Sequence, residues 1–211
     1  MDFALFNREL GNADLFLIDQ ILKGTFLSGH KILDAGCGEG RNLTYFLQNN
    51  FEVYGIDKNI SALRMLKITA RMINKNFSPG NFIEGNLINH PFGDNFFDYI
   101  LCISVLHFAD SVQEFNSMFE SLLRTLKING ILMLGMNSVY GIENQLTSNE
   151  NNVFQRRDGS IRFLLNDSVI QTILNNTKVE LNEPIKSVNS GLGFKILGSF
   201  SIEHDDGKFP H

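Results

Sequence analysis

Apolar residues recur along this chain at two spacings. Between Asp14 and Lys23, Leu15, Phe16, Ile18, Ile21 and Leu22 follow helical spacing and Gly24 supplies a stop, so an amphipathic helix is expected before the first strand. KILDAG then reads as a short buried strand, GCGEG as a tight loop and RNLTYFLQNN as a helix. Further strands are expected at FEVYGID, NFIEGN, DYILCIS and GILMLGM, separated by helical stretches such as ISALRMLKITARMINK and VQEFNSMFESLLRTLK. Such alternation predicts a mostly parallel sheet, helices on both faces and right-handed crossovers.

The pattern weakens after the fifth strand. From Met136 to Asn166 the chain is polar, without a convincing period, and longer than most connections in compact domains, which suits either an active-site cover or a loosely held insertion. A helix is expected from Asp167 to about Asn175. KVELNEPIKSV and GFKILGSFSIEH follow with no helix between them and predict a terminal antiparallel hairpin. The 211 residues are expected to form one domain, with a helical cap at 1–30, a core at 31–136, a covering segment at 137–166 and the helix and hairpin at 167–211.

Composition narrows the function classes. An apolar content of 43% suits a packed core, and a net charge of −5 argues against a broad phosphate-binding face and hence against nucleic acid as a partner. Cys37 and Cys102 form no CxxC pair and no histidine cluster has metal-ligand spacing, so reduced buried thiols and no metal site are expected. MDFALFNREL lacks the basic start and apolar run of a secretory signal, and no run of about 18 apolar residues occurs, so a cytoplasmic protein without membrane attachment is expected.

The strongest chemical signal is ILDAGCGEGRN, residues 32–42, where Gly36, Gly38 and Gly40 alternate between a buried strand and a helix. A loop without Cβ atoms can adopt positive φ and admit a ligand against the backbone. The spacing is G-x-G-x-G, not the G-x-x-G ending of a dinucleotide fingerprint, so an adenosyl group without a diphosphate fits better than a nicotinamide dinucleotide. Asp57, ending the second strand beside Lys58, stands where a carboxylate can accept both ribose hydroxyls; a turn or helix-capping aspartate is the plainer alternative. Asp98 opens its strand and is expected to be structural.

D-x-G-x-G-x-G, the acid after strand two, FFDYILCISVLHF and LKINGILML together resemble the class I S-adenosylmethionine-dependent methyltransferases from about Lys31 to Met136. The SVLH stretch is similar to the ubiquinone-biosynthesis branch, and GRNLTYFL with DKN more weakly to tellurite-resistance methyltransferases. The resemblance implies a Rossmann-like seven-stranded sheet and S-adenosyl-L-methionine as cofactor. It implies that Asp34 and the Gly36–Gly40 loop hold the methionine end, Asp57 the ribose, Asn86 and Leu87 of the EGNL turn the adenine, and Ile103 and Ser104 the amino group and sulfonium, with Lys58 also among the cofactor-binding residues. Asn86 stands where the family commonly has an aspartate, and its side-chain carbonyl could accept from the adenine amine without charge assistance. No counterpart of a basic, histidine-bearing stretch precedes the last strand, which reads SVNSGLGF, and the Asn-Pro-Pro-Tyr motif of nucleic-acid amino methyltransferases is absent.

Methyl transfer to a small-molecule acceptor is therefore expected, with a cofactor-binding module acting through a partner as the alternative. Where the acceptor must lose a proton, His107 is the candidate base, against a plainer role packed beside the core. Arg162 and Arg157, with Arg156, cluster in the 136–166 segment of an acidic chain and suit an anionic acceptor, with Phe3 and Phe6 helping to cover it.

Overall fold

The computed structural model describes residues 12–148, 152–155, 159–175, 179–189 and 194–202. The first helix, α1 (Leu15–Leu22), begins at Asp14, whose carboxylate accepts from the Phe16 N–H and so satisfies a donor the helix itself leaves unpaired. It precedes β1 (Lys31–Ala35), α2 (Thr44–Gln48), β2 (Glu52–Asp57), α3 (Ile60–Ile73), β3 (Phe82–Glu84), β4 (Phe97–Ile103), α4 (Val112–Thr125) and β5 (Leu126–Asn137). Next come β6 (Thr147–Ser148), β7 (Val153–Gln155), β8 (Ile161–Phe163), α5 (Asp167–Leu174), β9 (Val179–Leu181), β10 (Lys186–Asn189) and β11 (Phe194–Ile202).

The main sheet runs β10-β11-β5-β4-β1-β2-β3, with β9 also paired to β11. Strands β1 to β5 are parallel and β11 is antiparallel to β5. This is the expected mostly parallel, Rossmann-like architecture with an antiparallel end. The sheet counts eight strands where seven were expected, because the KVELNEPIKSV run is broken. Its halves, β9 and β10, pair antiparallel with different stretches of β11.

Hydrophobic cores lie on both faces of the sheet. On one, Leu33, Ile100 and Leu132 meet Phe115, Phe119 and Leu122 of α4. On the other, Ile32, Leu101 and Met133 meet Leu17 of α1, Phe46 of α2 and Leu63 and Leu66 of α3. Side chains so buried stabilise the fold by about 1.5–3 kcal/mol each relative to exposure, which fixes the strands that carry the site.

Two features fall outside the sequence pattern. The expected helix over 41–50 is reduced to the five residues of α2, since the preceding residues are taken up in a turn closed by the Leu43 N–H on the Gly40 carbonyl. The 136–166 segment carries a second, antiparallel sheet, β6-β7-β8. It is anchored by Phe163, whose ring stacks on Phe115 of α4 at 5.0 Å, and by the buried Leu164 and Leu165.

Candidate cofactor and acceptor site

Parallel strands bring their carboxyl ends to one edge, where ligands of such sheets are held. There, a cleft of about 370 Å³ opens between the loops after β1, β2, β3 and β4. Gly36, Asp57, Lys58, Asn86, Leu87 and Ser104 line it, joined by Ile56, Gly85, Val105, Phe108 and Met118. Gly38 and Gly40 belong to the glycine loop beside it without lining it, while Asp34 and Ile103 are buried beneath, at 2% and 5% exposure.

The glycine loop is fixed from below. Gly36 and Cys37 donate their N–H groups to the Ile56 carbonyl, and the Gly38 N–H donates to Asp57 Oδ2 at 2.7 Å. Gly36 has φ +80°, and a Cβ there would come within 2.4 Å of Val105 Cγ2, so only glycine fits. Gly38 has φ +51° and faces open space. The loop thus packs against the protein at Gly36 and at Gly40, where a Cβ would meet Leu66, and leaves open space at Gly38.

Asp57 takes the turn role weighed from sequence. Its Oδ1 accepts from the Asn59 N–H at 2.8 Å, making the turn into α3, while the capping residue proper is Asn59. A carboxylate has about four lone-pair sites, so both oxygens retain capacity for a ribose. Asn86 differs from the sequence expectation. Its Oδ1 already accepts from the N–H groups of Ile88 at 3.0 Å and Asn89 at 2.8 Å, so the oxygen expected to meet the adenine amine is taken up by the chain's own turn. The amide N–H groups remain as donors.

Asp34 ends up almost without solvent. Burial pushes its carboxyl up to about 7, the nearby Arg41 opposes this, and the charge of Asp57 adds to it. Burial likewise pushes the Cys37 and Cys102 thiols up, which suits inert core sulfurs. At the end of β4, Ser104 has φ +64°, a costly conformation for a residue with a side chain, held by its N–H on the Gly135 carbonyl at 2.7 Å. Val105, next in the chain, packs against Gly36.

His107 lies on the short 3₁₀ turn Leu106–Phe108, buried and tilted against the Phe108 ring at 4.5 Å, and does not line the cleft. A general base must come within hydrogen-bonding reach of its proton, so this placement favours the packed role. Phe108 itself is 59% exposed and lines the cleft. Arg162 of β8 lays its guanidinium over that ring at 4.7 Å from the centroid. Arg156, Arg157, Phe3 and Phe6 lie outside the described residues. Asp98 sits at the opposite end of its strand, accepting from the Lys31 N–H and from Lys127. The lining residues that sequence reasoning missed, Ile56, Val105, Phe108 and Met118, are apolar and carried no signal beyond that of a core position.

Among the described residues no cluster of metal-ligating side chains occurs, and no helix is long and apolar enough to cross a membrane.

Comparison with known proteins agrees with this geometry. Residues 33–134 match the family described as "Methyltransferase domain". Over 191 residues the chain is 26% identical to sterol 24-C-methyltransferase of Schizosaccharomyces pombe, an alignment covering 86% of this chain and 44% of that protein. The chain thus spans less than half the length of the curated relatives it matches. A solved protein of Pyrococcus horikoshii OT3 superposes with a TM-score of 0.72 at 18% identity, covering 90% of this chain and 89% of its own. The 1,6-didemethyltoxoflavin-N1-methyltransferase of Burkholderia thailandensis, solved with bound 1,6-didemethyltoxoflavin and S-adenosylhomocysteine, gives a TM-score of 0.67 at 15% identity, covering 89% of this chain and 76% of its own. The cleft presents Gly36 of the glycine loop, the Asp57 carboxylate and apolar walls at Ile56 and Leu87. Through residues 33–134, just under half of its length, the chain matches a methyltransferase domain, and it resembles the class I methyltransferases that use S-adenosylmethionine.

Proposed function

We propose that the protein transfers a methyl group from S-adenosylmethionine to a small-molecule acceptor bearing an anionic group. The observation that carries this reading is the continuity of one cleft from Gly36 of the glycine loop and Asp57 to Phe108, with Arg162, which does not itself line the cleft, over that ring. When bound, the cofactor supplies a methyl already activated on a sulfonium, so the protein's work is to orient donor and acceptor and exclude water. In this reading Asp57 holds the ribose hydroxyls, and Asn86 and Leu87 bound the adenine, with Asn86 donating from its amide. Asp34 and the glycine loop set the methionine end, with Ser104 beside the sulfonium. Arg162 offers the acceptor a planar set of donors matched to a carboxylate. The acceptor nucleophile gains the methyl and loses any proton to solvent, with no residue assigned as base.

Calorimetry with S-adenosylhomocysteine and with NAD, followed by an acceptor screen with methyl-labelled donor, tests the reading. The homocysteine product should bind, NAD should not, and Asp57→Ala should weaken binding by about 1 to 3 kcal/mol. NAD binding, or unchanged affinity in Asp57→Ala, would refute the cofactor assignment. Tight cofactor binding with no labelled product from any anionic acceptor would favour the binding-module alternative.

A further inference from the structure

From Lys58 to Ile83 the chain has five cations, Lys58, Arg64, Lys67, Arg71 and Lys75, and no Asp or Glu, within a protein of net charge −5. Among the described residues none of the five is ion-paired with a carboxylate, although other lysines of the chain are. Most of this run is α3, whose inner face, Ala62, Leu63, Leu66 and Ala70, is buried.

The outer face departs from an ordinary solvated helix. At 100° per residue, Arg64, Lys67 and Arg71 fall within an arc of about 60°, and Met65, Ile68 and Met72 fill a neighbouring arc of similar width. Those three apolar residues are 50%, 57% and 80% exposed. Isolated exposed apolar residues need no explanation, but three on one helix arc beside an unpaired basic arc do.

We infer that α3 is a docking face for an anionic lipid bilayer, lying in the plane of its surface with Met65, Ile68 and Met72 entering the headgroup boundary and the cations against lipid phosphates or carboxylates. Parallel basic and apolar arcs on one helix are the arrangement that interfacial helices use. Charge complementarity selects the partner, because juxtamembrane cations are each drawn to an anionic leaflet. Nucleic acid fits less well, since phosphates would leave the apolar arc without a partner and the exposed face carries no aromatic ring on which a base could stack. The docked helix would also bring the cleft close to the membrane surface, because Lys58, the first cation of the run, lines that cleft. With only three apolar side chains the attachment is reversible and salt-sensitive. This inference does not depend on which acceptor is methylated.

Sedimentation of the full chain with vesicles of phosphatidylcholine alone or mixed with phosphatidylglycerol tests it. Binding is expected on the mixed vesicles at low salt, with loss at high salt and little on neutral ones. Combined R64E, K67E and R71E should weaken binding at least about tenfold, and combined M65S, I68S and M72S should weaken it by a smaller factor. Both variants should keep wild-type affinity for S-adenosylhomocysteine by calorimetry, which separates a surface effect from misfolding. Equal binding to neutral and anionic vesicles, no vesicle binding by wild type, or unchanged binding by the charge variant would overturn the inference. So would tighter binding to a short DNA duplex through the same arginines.

Discussion

The half of the molecule that carries the cleft, β1 to β5, and the half beyond Asn137, which the proposal assigns to the acceptor, are built on different principles. The first places its ligand groups by backbone constraint: a glycine loop pinned to Ile56, a carboxylate tied to the Gly38 N–H, and a serine held at positive φ. The second places Arg162 on strands of two or three residues, held to the domain at a few points: the backbone bonds of Leu165 with Asn137 and Val139, the buried Leu164 and Leu165, and the stack of Phe163 on Phe115. A region fixed by backbone throughout tolerates little change, whereas one held at a few points can vary its contacts while the frame stays intact. That is the division a methyltransferase needs if one donor is to serve many acceptors.

The largest test of this contrast sets two glycines of similar φ against each other. Gly36 at +80° meets Val105 where a Cβ would stand, whereas Gly159 at +79°, on the acceptor side, faces open space. Gly36→Ala adds overpacking to the unfavourable backbone and should cost on the order of 2 to 4 kcal/mol of stability and most of the cofactor affinity. Gly159→Ala should cost about 1 kcal/mol and leave affinity alone. Denaturant melts and calorimetry on both variants would break the comparison if the two behaved alike.

This contrast also explains what could be read from the chain. Strands β1 to β5 announce themselves because each is an apolar run flanked by Gly, Asp or Asn, and the glycine loop because three positive φ values in close succession suit glycine above other residues. Strands β6 to β8 are too short to show a period, and Phe163 reads like any core residue until it is seen against Phe115. The break between β9 and β10 falls at Asn182–Ile185, which the hairpin reading ran through as one strand. Asn86 was legible as a departure from the family pattern, but the use of its oxygen was not, since that depends on where the N–H groups of Ile88 and Asn89 point. Phe108 carries no polar signal and becomes visible as part of the site only through its exposure and the cation above it.

A smaller effect concerns charge. In the cofactor half, burial holds the Asp34 carboxyl near 7. In the acceptor half, burial also pushes Glu183 up, but hydrogen bonds from Lys23 and Lys186 outweigh it and hold Glu183 below its ordinary value. Between the ordinary 3.8 and about 7, folded Asp34 keeps a proton that the unfolded chain has released. Stability from this group therefore falls as pH rises through that window and is lowest above it. Asp34→Asn should accordingly stabilise the cofactor-free protein by about 2 to 4 kcal/mol at pH 8 and by little near pH 4. Thermal melts of both proteins across that range check the sign, and an equal difference at the two ends would refute it.

The smallest expected effect lies in the acceptor half, where Arg162 is placed by contact with a partly exposed ring. Its guanidinium spends one donor on its own neighbour, Nη1 on the Ile161 carbonyl at 2.7 Å, and stacks on Phe108. A guanidinium has five donors, so most remain for an acceptor carboxylate, and the ring fixes the plane in which they are offered. A cation stacked on an exposed ring is worth about 0.5 to 1 kcal/mol, so Arg162→Ala should leave fold and cofactor affinity unchanged. With an anionic acceptor it should raise KM by about three- to tenfold at constant kcat, the pattern of binding lost equally from ground and transition states. Arg162→Lys keeps the charge but loses the planar fork, and should recover only part of that loss. Full recovery by lysine would mean that charge alone matters, whereas a fall in kcat with KM unchanged would mean that Arg162 acts in the transition state and that the acceptor half is no less rigid in its chemistry than the cofactor half.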